Sequence, residues 1–300
     1  MKDIIIGTRG SQLALWQAEF IKKKLSKVTD RPVRLEVIKT AGDKIDNLSF
    51  DKMEGKGFFT KEIEDSLLNG GIDLAVHSLK DLMTTLPKGL VLPAVGFRED
   101  SREALLVRKD SYTPGRTIPV KENGVVGSGS VRRQSQMAHL APDLLLEDLR
   151  GNVPTRIRKL REGQYDAIIL AYAGILRLEI DLSEFEVVIL EKEKFLPAPG
   201  QGILAIQSRE NDAEINEIAS RLDDPSTRLQ MNLERGLLAR FEGGCQLPLG
   251  VYSEINGVDL GITAVLGIRE NGRWINLKRK SSSGTDPEKL IRETFAFLVG

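Results

Sequence analysis

Residues 4–15 read IIIGTRGSQLAL and residues 125–136 read VVGSGSVRRQSQ. Each runs from a short β-branched stretch through a turn of glycine and hydroxyl residues into a helical segment. Around the first, Asp3 to Gly7 is β-rich, and Ser11 supplies the side-chain oxygen that caps a helix whose inner face is Ala14, Ala18, Ile21 and Leu25. Val33 to Lys39 returns as a strand. A second helix runs from Thr60 to Asn69, is closed by Gly70 and Gly71, and leads into the apolar strand Ile72 to Val76. This alternation predicts a mainly parallel sheet with helices on both faces.

Around the second stretch the cycle repeats. Strands are predicted at Ala104 to Val107, Val125 to Gly127, Leu144 to Glu147 and Ala167 to Leu170, separated by helices after Ser130 and Asn152. After Pro197, the strand Ile203 to Gln207 passes back to the first lobe, which implies two crossovers and a hinge. Asp224 caps a long helix that has Pro225 in its first turn and ends at Gly243-Gly244. Beyond it, Val251 to Ile255, Val258 to Leu266 and Trp274 to Lys280 read as an antiparallel sheet closed by a helix from Asp286 to Val299. The fold class is α/β, with two doubly wound lobes and a small α+β third domain. The boundaries fall at 1–98 with 199–221, 99–198, and 222–300.

Composition narrows the function. Lysine plus arginine and aspartate plus glutamate both number 43, so no net field draws the chain to nucleic acid or to an anionic membrane, and anion binding must come from local clusters. With 1 cysteine there is no internal disulfide, and the amino terminus has neither a signal core nor a presequence, so the chain reads as cytoplasmic. No uncharged run approaches the roughly 20 residues of a membrane span.

Both glycine-hydroxyl turns are candidate anion sites. Free N–H groups and the positive end of a helix dipole meet there beside Arg9 in one turn and Arg132 with Arg133 in the other. A capped helix start accounts for either turn taken singly, whereas two in matching positions point to a cleft that grips a polyanion. Further arginines stand at Arg150, Arg156 and Arg177, and the planar guanidinium fork suits a ligand rich in carboxylates. Those on a helix with Arg158, Lys159 and Arg161 also fit a solvated face. The segment DLAVHSLKDL puts His77, Ser78, Lys80 and Asp81 directly after an apolar strand, where open α/β sheets bind ligands; an ordinary polar loop is the alternative. Cys245 follows two glycines and precedes Gln246-Leu247-Pro248, a reachable loop on which a thiol can carry a covalent group. A buried cysteine acting as a small hydrophobe remains the other reading.

Four blocks in order, GTRGSQLALWQA, GKGFFTKEIEDSLLNGGIDLAVHSLKD, the pair GSGSVRRQ and LRGNVPTR, and LARFEGGCQLPLG, resemble the hydroxymethylbilane synthase (porphobilinogen deaminase) family through essentially the whole chain. The resemblance implies two lobes built like two-lobed anion-binding proteins, and a third domain holding a cofactor cysteine. It implies a transferase of porphyrin and haem biosynthesis that joins four porphobilinogen molecules into hydroxymethylbilane on a dipyrromethane primer, itself bound through a thioether to Cys245. Asp81 matches the catalytic carboxylate. Lys80, Ser128, Ser130, Arg132 and Arg133 match the positions that hold the primer acids; Arg9, Ser11, Phe59, Arg150, Arg156, Arg177 and Gln201 match those that hold substrate and growing product. The family suggests a monomer, and residues 44–57 read as a mobile lid.

Two departures stand out. The family's GTSS is GSGS here, so Gly129 lacks a hydroxyl and one primer hydrogen bond is in doubt; and Met83 replaces a proline two residues after Asp81. Three rival readings are a two-lobed anion-binding protein, a cysteine hydrolase using Cys245 with His77 or His139, and a pyridoxal enzyme using Lys80. The first leaves GGC unexplained, and the other two lack their supporting motifs.

Overall fold

A computed structural model describes residues 2–40, 60–241 and 247–300. The strands, in chain order, are β1 (Ile4–Thr8), β2 (Val33–Val37), β3 (Leu74–Ser78), β4 (Leu90–Gly96), β5 (Glu103–Arg108), β6 (Val125–Gly127), β7 (Leu145–Glu147), β8 (Ala167–Ala171), β9 (Phe185–Leu190), β10 (Leu204–Arg209), β11 (Leu249–Asn256), β12 (Asp259–Glu270) and β13 (Arg273–Gly284). The helices are α1 (Gln12–Leu25), α2 (Lys61–Leu68), α3 (Val131–Leu140), α4 (Val153–Arg161), α5 (Tyr172–Leu178), α6 (Ala213–Ser220), α7 (Pro225–Arg240) and α8 (Pro287–Val299). The chain divides into two compact units, Met1–Glu99 with Gly202–Leu229, and Asp100–Gln201 with Gln230–Gly300.

The first unit holds a sheet of order β2-β1-β3-β10-β4, in which β1 runs parallel to β2 and β3 while β10 lies antiparallel to both of its neighbours. Alternate side chains of a strand point to opposite faces, and that alternation sorts the core. Ile4, Ile6, Leu74, Val76, Leu204 and Ile206 pack against Ala18, Ile21 and Leu25 of α1 and Ile215, Ile218 and Ala219 of α6. On the other face Ile72, Ala75 and Leu90 meet Ile63 and Leu67 of α2. The predicted inner face of α1 is therefore largely the buried one, with Ala18, Ile21 and Leu25 fully covered. The return of the chain near residue 203 is also as read, for β10 sits between β3 and β4.

The second unit repeats the plan with a sheet of order β7-β6-β8-β5-β9. Here β6 is parallel to β7 and β8, and β5 is the antiparallel insert. One face joins Leu105, Val107, Val126, Ala167 and Ile169 to Met137 of α3 and Phe195. The opposite face joins Ala104, Leu106, Ile168 and Leu170 to Ile157 and Leu160 of α4 and Ile175 of α5. Within this same unit β11, β12 and β13 form an antiparallel sheet. Its inner residues Val251, Leu260, Ile262 and Ala264 are buried, as are Leu290, Ile291 and Leu298 of α8. The edge strand β13 carries Lys278, Arg279 and Lys280, charges that discourage pairing with another chain.

The structure departs from the expected mainly parallel sheets in one consistent way. Each lobe has an antiparallel strand in fourth position, β10 or β5, and an outer strand, β4 or β9, that is not among the elements expected from sequence. An antiparallel strand buried on both faces has the same continuous apolar run as a parallel one, so periodicity does not separate them. Helices α5 and α6 were likewise not anticipated. They are only 7 and 8 residues long and, unlike the equally short α2, neither is closed by a glycine pair that marks its end.

One device recurs in both lobes. Asp73, just ahead of β3, accepts a hydrogen bond from the N–H of Ile5 through Oδ2 at 2.9 Å, and its own N–H donates to the Ile5 carbonyl at 2.9 Å. Asp166, just ahead of β8, does the same with Val125, both bonds being 2.8 Å. Each carboxylate has a cation on its other oxygen, Arg209 at 3.1 Å from Asp73 and Lys121 at 2.7 Å from Asp166.

Burial pushes the Asp166 carboxyl up, but hydrogen bonds from Lys121, the Val125 N–H and Ser111 outweigh it and hold the group below the usual aspartate range. Its stabilising effect is therefore present above the ordinary aspartate pKa and is lost as pH falls through the lowered folded value. Asp166→Asn should cost about 1–3 kcal/mol at neutral pH, because an amide cannot accept from Lys121, Ser111 and the Val125 N–H together. Urea denaturation of both proteins across the acid range checks this, and the gap between them should close as the pH falls.

Candidate active site

In the first unit the predicted residues collect where β1 and β3 end. These strands are parallel neighbours, with Gly7 opposite Ala75, so the turns that follow them leave the same edge of the sheet. After β1 come Arg9 and Ser11. The Ser11 hydroxyl accepts from the Ala14 N–H at 3.3 Å, which caps α1 as the sequence predicted. After β3 the chain makes one 3-10 turn over Leu79–Asp81, which leaves Lys80 half-buried and Asp81 exposed. Two bonds fix that turn: Leu79 N–H donates to the Ile203 carbonyl at 3.0 Å, and Gln17 Nε2 of α1 donates to Ser78 Oγ at 2.8 Å. The rigid strand end thus presents a carboxylate to solvent while its backbone stays tied down.

A buried polar chain, not visible in the motifs, runs from β3, the strand that leads into this turn. His77 Nε2 meets Gln207 Oε1 at 3.0 Å, Gln207 Nε2 donates to Glu64 Oε1 at 3.1 Å, and Thr60 Oγ1 donates to Glu64 Oε2 at 3.2 Å. Because Gln207 spends its amide N–H on Glu64, its carbonyl oxygen is the group facing His77, and the imidazole proton sits on Nε2. Burial pushes His77 down to about 4; the Gln207 hydrogen bond opposes this and the charge of Arg9 adds to it. His77 is therefore neutral at physiological pH and serves as a fixed donor under the loop of Lys80 and Asp81.

In the second unit three strand ends converge in the same manner, for β6 lies between β7 and β8, all parallel. Ser128 and Ser130 follow β6, Arg150 follows β7, and Arg177 lies in the last turn of α5, which begins directly after β8. The Ser128 N–H donates to the Glu147 carbonyl at 2.8 Å, joining the first two turns. Arg156 turns back to donate from Nε to the Gly151 carbonyl at 2.7 Å, and Arg150 stands 3.7 Å from Asp148. Gln201, fully buried, donates to the Ser101 carbonyl at 2.7 Å from the turn where the chain crosses back. In that turn Gly202 has φ +86, and a Cβ there would come within 2.3 Å of the Glu99 carbonyl oxygen, so no other residue fits.

Arg132 and Arg133, read as ligand-holding forks, are each only 5% exposed. Arg132 donates to Glu103 Oε1 and, at 2.7 Å, to the Leu196 carbonyl; Arg133 donates to Glu103 Oε2 at 2.8 Å and to the Ile169 carbonyl at 3.0 Å. Burial, with Arg133 alongside, lowers the Arg132 pKa while Glu103 opposes that change. Glu103 and His77's partners Gln207 and Glu64 are the residues that motif reading missed. The visible signal was a carboxylate at the head of the apolar run Ala104–Val107. Phe59, Cys245 and the proposed lid at 44–57 lie outside the described residues.

Gly129 now has a physical reason. A Cβ there would stand 2.9 Å from the Leu149 carbonyl oxygen, closer than side chains tolerate, so the turns after β6 and β7 pack in a way that requires glycine. Gly129→Ser, which restores the family's hydroxyl, should lower stability by roughly 1–3 kcal/mol by forcing the turn of Arg150 outward. Thermal melts of the two proteins check it, and a variant as stable as the parent would mean that the turn yields at no cost.

Comparison with known proteins gives the family. Residues 4–217 match the family model described as porphobilinogen deaminase, dipyromethane cofactor binding domain, and residues 229–293 match porphobilinogen deaminase, C-terminal domain. The porphobilinogen deaminase of Sulfurimonas denitrificans is 45% identical over 301 residues, covering 100% of this chain and 94% of the relative. That of Oceanobacillus iheyensis is 39% identical, again covering 100% of this chain and 94% of the relative. Among solved structures, the VFT2 domain of BvgS from Bordetella pertussis is 12% identical with a TM-score of 0.45, covering 78% of this chain and 92% of that one. An arginine-specific periplasmic binding protein of Salmonella typhimurium is 13% identical with a TM-score of 0.42, covering 77% and 98%. Identities of 39% and 45% to porphobilinogen deaminases, held over the whole chain, together with both family models, mean that the chain belongs to the porphobilinogen deaminase family.

Proposed function

We propose how this chain's residues divide the work of the family's reaction, the deaminating condensation of four porphobilinogen molecules into hydroxymethylbilane. The proposal is carried by the convergence of three parallel strand ends, each followed by an arginine or a serine, in a chain of no net charge. Each pyrrole brings two carboxylates, and a growing chain of them needs local cations rather than a global field.

The donor set of the second lobe suits the dipyrromethane named in the family model. Arg132, Arg133 and Glu103 together carry one positive charge, Arg133 Nε is buried with no partner, and Ser128 lies beside them at the mouth of α3. Such a set is one carboxylate short of neutral. When bound, the dipyrromethane supplies the free α-carbon at which the chain grows, and it stays on the protein when product leaves. Lys80, Ser128, Ser130, Arg132 and Arg133 hold its acids, and Cys245 is its point of attachment. Arg9, Ser11, Phe59, Arg150, Arg156, Arg177 and Gln201 orient the incoming pyrrole and the lengthening product.

Asp81 acts on the substrate. As the C–N bond of the aminomethyl group breaks, ammonia takes the electron pair and positive charge spreads over the pyrrole. A carboxylate against the ring N–H stabilises that charge and can take up the proton released later. The tied 3-10 turn keeps Asp81 in place at no reorganisation cost, and the neutral His77 below it adds no competing cation. We read the chain as a cytoplasmic monomer of three domains, divided as its three sheets suggest, and without a nucleic-acid partner. In the described residues no helix is long and apolar enough to cross a membrane.

Two measurements test this reading. The intact mass of the purified protein should exceed the sequence mass by two linked pyrroles, with the excess on the peptide that contains Cys245, and Cys245→Ser should abolish it; active protein without that excess would defeat the assignment. On loaded protein, Asp81→Asn should slow single-turnover ammonia release by on the order of 10² to 10³. Asp81→Glu should retain more activity than Asp81→Asn, because it moves the charge but keeps it.

A further inference from the structure

Glu103 opens β5, has no exposed surface, and precedes the apolar residues Ala104 to Val107. A carboxylate in that position is costly to desolvate unless it is paired and hydrogen-bonded. Here both oxygens are taken by the guanidinium groups of consecutive residues, Arg132 on Oε1 and Arg133 on Oε2. Consecutive residues of a helix point about 100° apart, so one carboxylate that reaches both must fix the rotamer of each. The backbone completes the arrangement, with carbonyls of Leu196 and Ile169 accepting from the remaining Nη groups at 2.7 and 3.0 Å. After all of these bonds Arg133 Nε is still buried and without a partner.

We propose that Glu103 is the positioning residue of the anion site at the start of α3. It locks the two guanidinium planes and cancels one of their charges, so that the pair receives one ligand carboxylate and the unused Arg133 Nε is part of what receives it. The proposal rests on the reading that Arg132 and Arg133 hold the primer acids. Its consequence runs against simple electrostatics: Glu103→Gln makes the cluster more positive, yet it should bind an acid less well, because the amide nitrogen would face one arginine with a donor and release its plane.

The test uses full-length protein produced without porphobilinogen and then supplied with it, gain of the two-pyrrole mass being followed over time. Circular dichroism and melting temperature are recorded on each variant. Glu103→Gln should gain the mass at least tenfold more slowly than the parent, and Glu103→Asp, which keeps the charge but shortens the reach, should fall between them. If Glu103→Gln fails to fold, Glu103→Asp decides: folded and slow supports positioning, folded and as fast as the parent overturns it. Faster loading by Glu103→Gln would also overturn it, since charge alone would then govern. Arg132→Leu and Arg133→Leu separate the two levels. If they fail to load while both Glu103 variants load normally, the Glu103 proposal falls and the primer-site reading stands; if they too load normally, the primer-site reading itself is wrong.

Discussion

A parallel strand pair leaves the register of its two members to be set by something other than a hairpin, and in each lobe a single aspartate sets it. Asp73 closes a two-bond ring with Ile5, and Asp166 closes the same ring with Val125. Both act at the amino ends of the pair, so the carboxyl ends come level at the opposite edge. From those edges leave the turns of Arg9 and Lys80-Asp81 in one lobe and of Ser128, Arg150 and Tyr172 in the other. A slip of one residue would invert every side chain of the strand and would place the turns at different heights. The candidate turns are in this sense a product of two carboxylates, Asp73 buried and Asp166 half-buried, placed at the far end of the sheets from them.

Charge is balanced differently at the two ends. Asp73 shares Arg209 with Asp212, and Asp166 pairs with Lys121, so neither cluster has a cation left over. At the start of α3 in the second lobe Arg132, Arg133 and Glu103 together carry one excess positive charge. A protein core does not keep an unmatched charge without cost, and the proposed anion site rests on that imbalance. A local excess of this kind is what the proposed site needs in a chain with equal numbers of acidic and basic residues.

A fourth carboxylate ties the crossing segment to the small sheet. Glu234 on α7 accepts from the Gly200 N–H at 2.7 Å through one oxygen and from the Ser253 hydroxyl at 2.8 Å through the other. The turn that carries Gln201 is thereby fixed to β11, and its glycines Gly200 and Gly202, both at positive φ, allow the reversal. In all four of these places a short-range sequence feature, whether a glycine, a strand head or a helix start, gains its position only through a carboxylate far away in the chain.

That pattern separates what the residue order determined from what folding decided. The alternation of apolar strands with capped helices, the Ser11 cap, the return of β10 to the first lobe and the placement of the candidate residues at strand ends were all legible, because each follows from periodicity or from a local turn within a few residues. The antiparallel insertion of β5 and β10 was not, because a strand covered on both faces shows the same unbroken apolar run in either direction. Nor were the partnerships of Glu103 with Arg132 and Arg133, and of His77 with Gln207 and Glu64, for they join residues 29 to 143 positions apart. The motif made Arg132 and Arg133 look like free forks, and Gly129 look like a lost hydroxyl. The tertiary structure gave the first pair a common carboxylate and left the second no room for a Cβ, since desolvation and close packing act only once distant segments have been brought into contact.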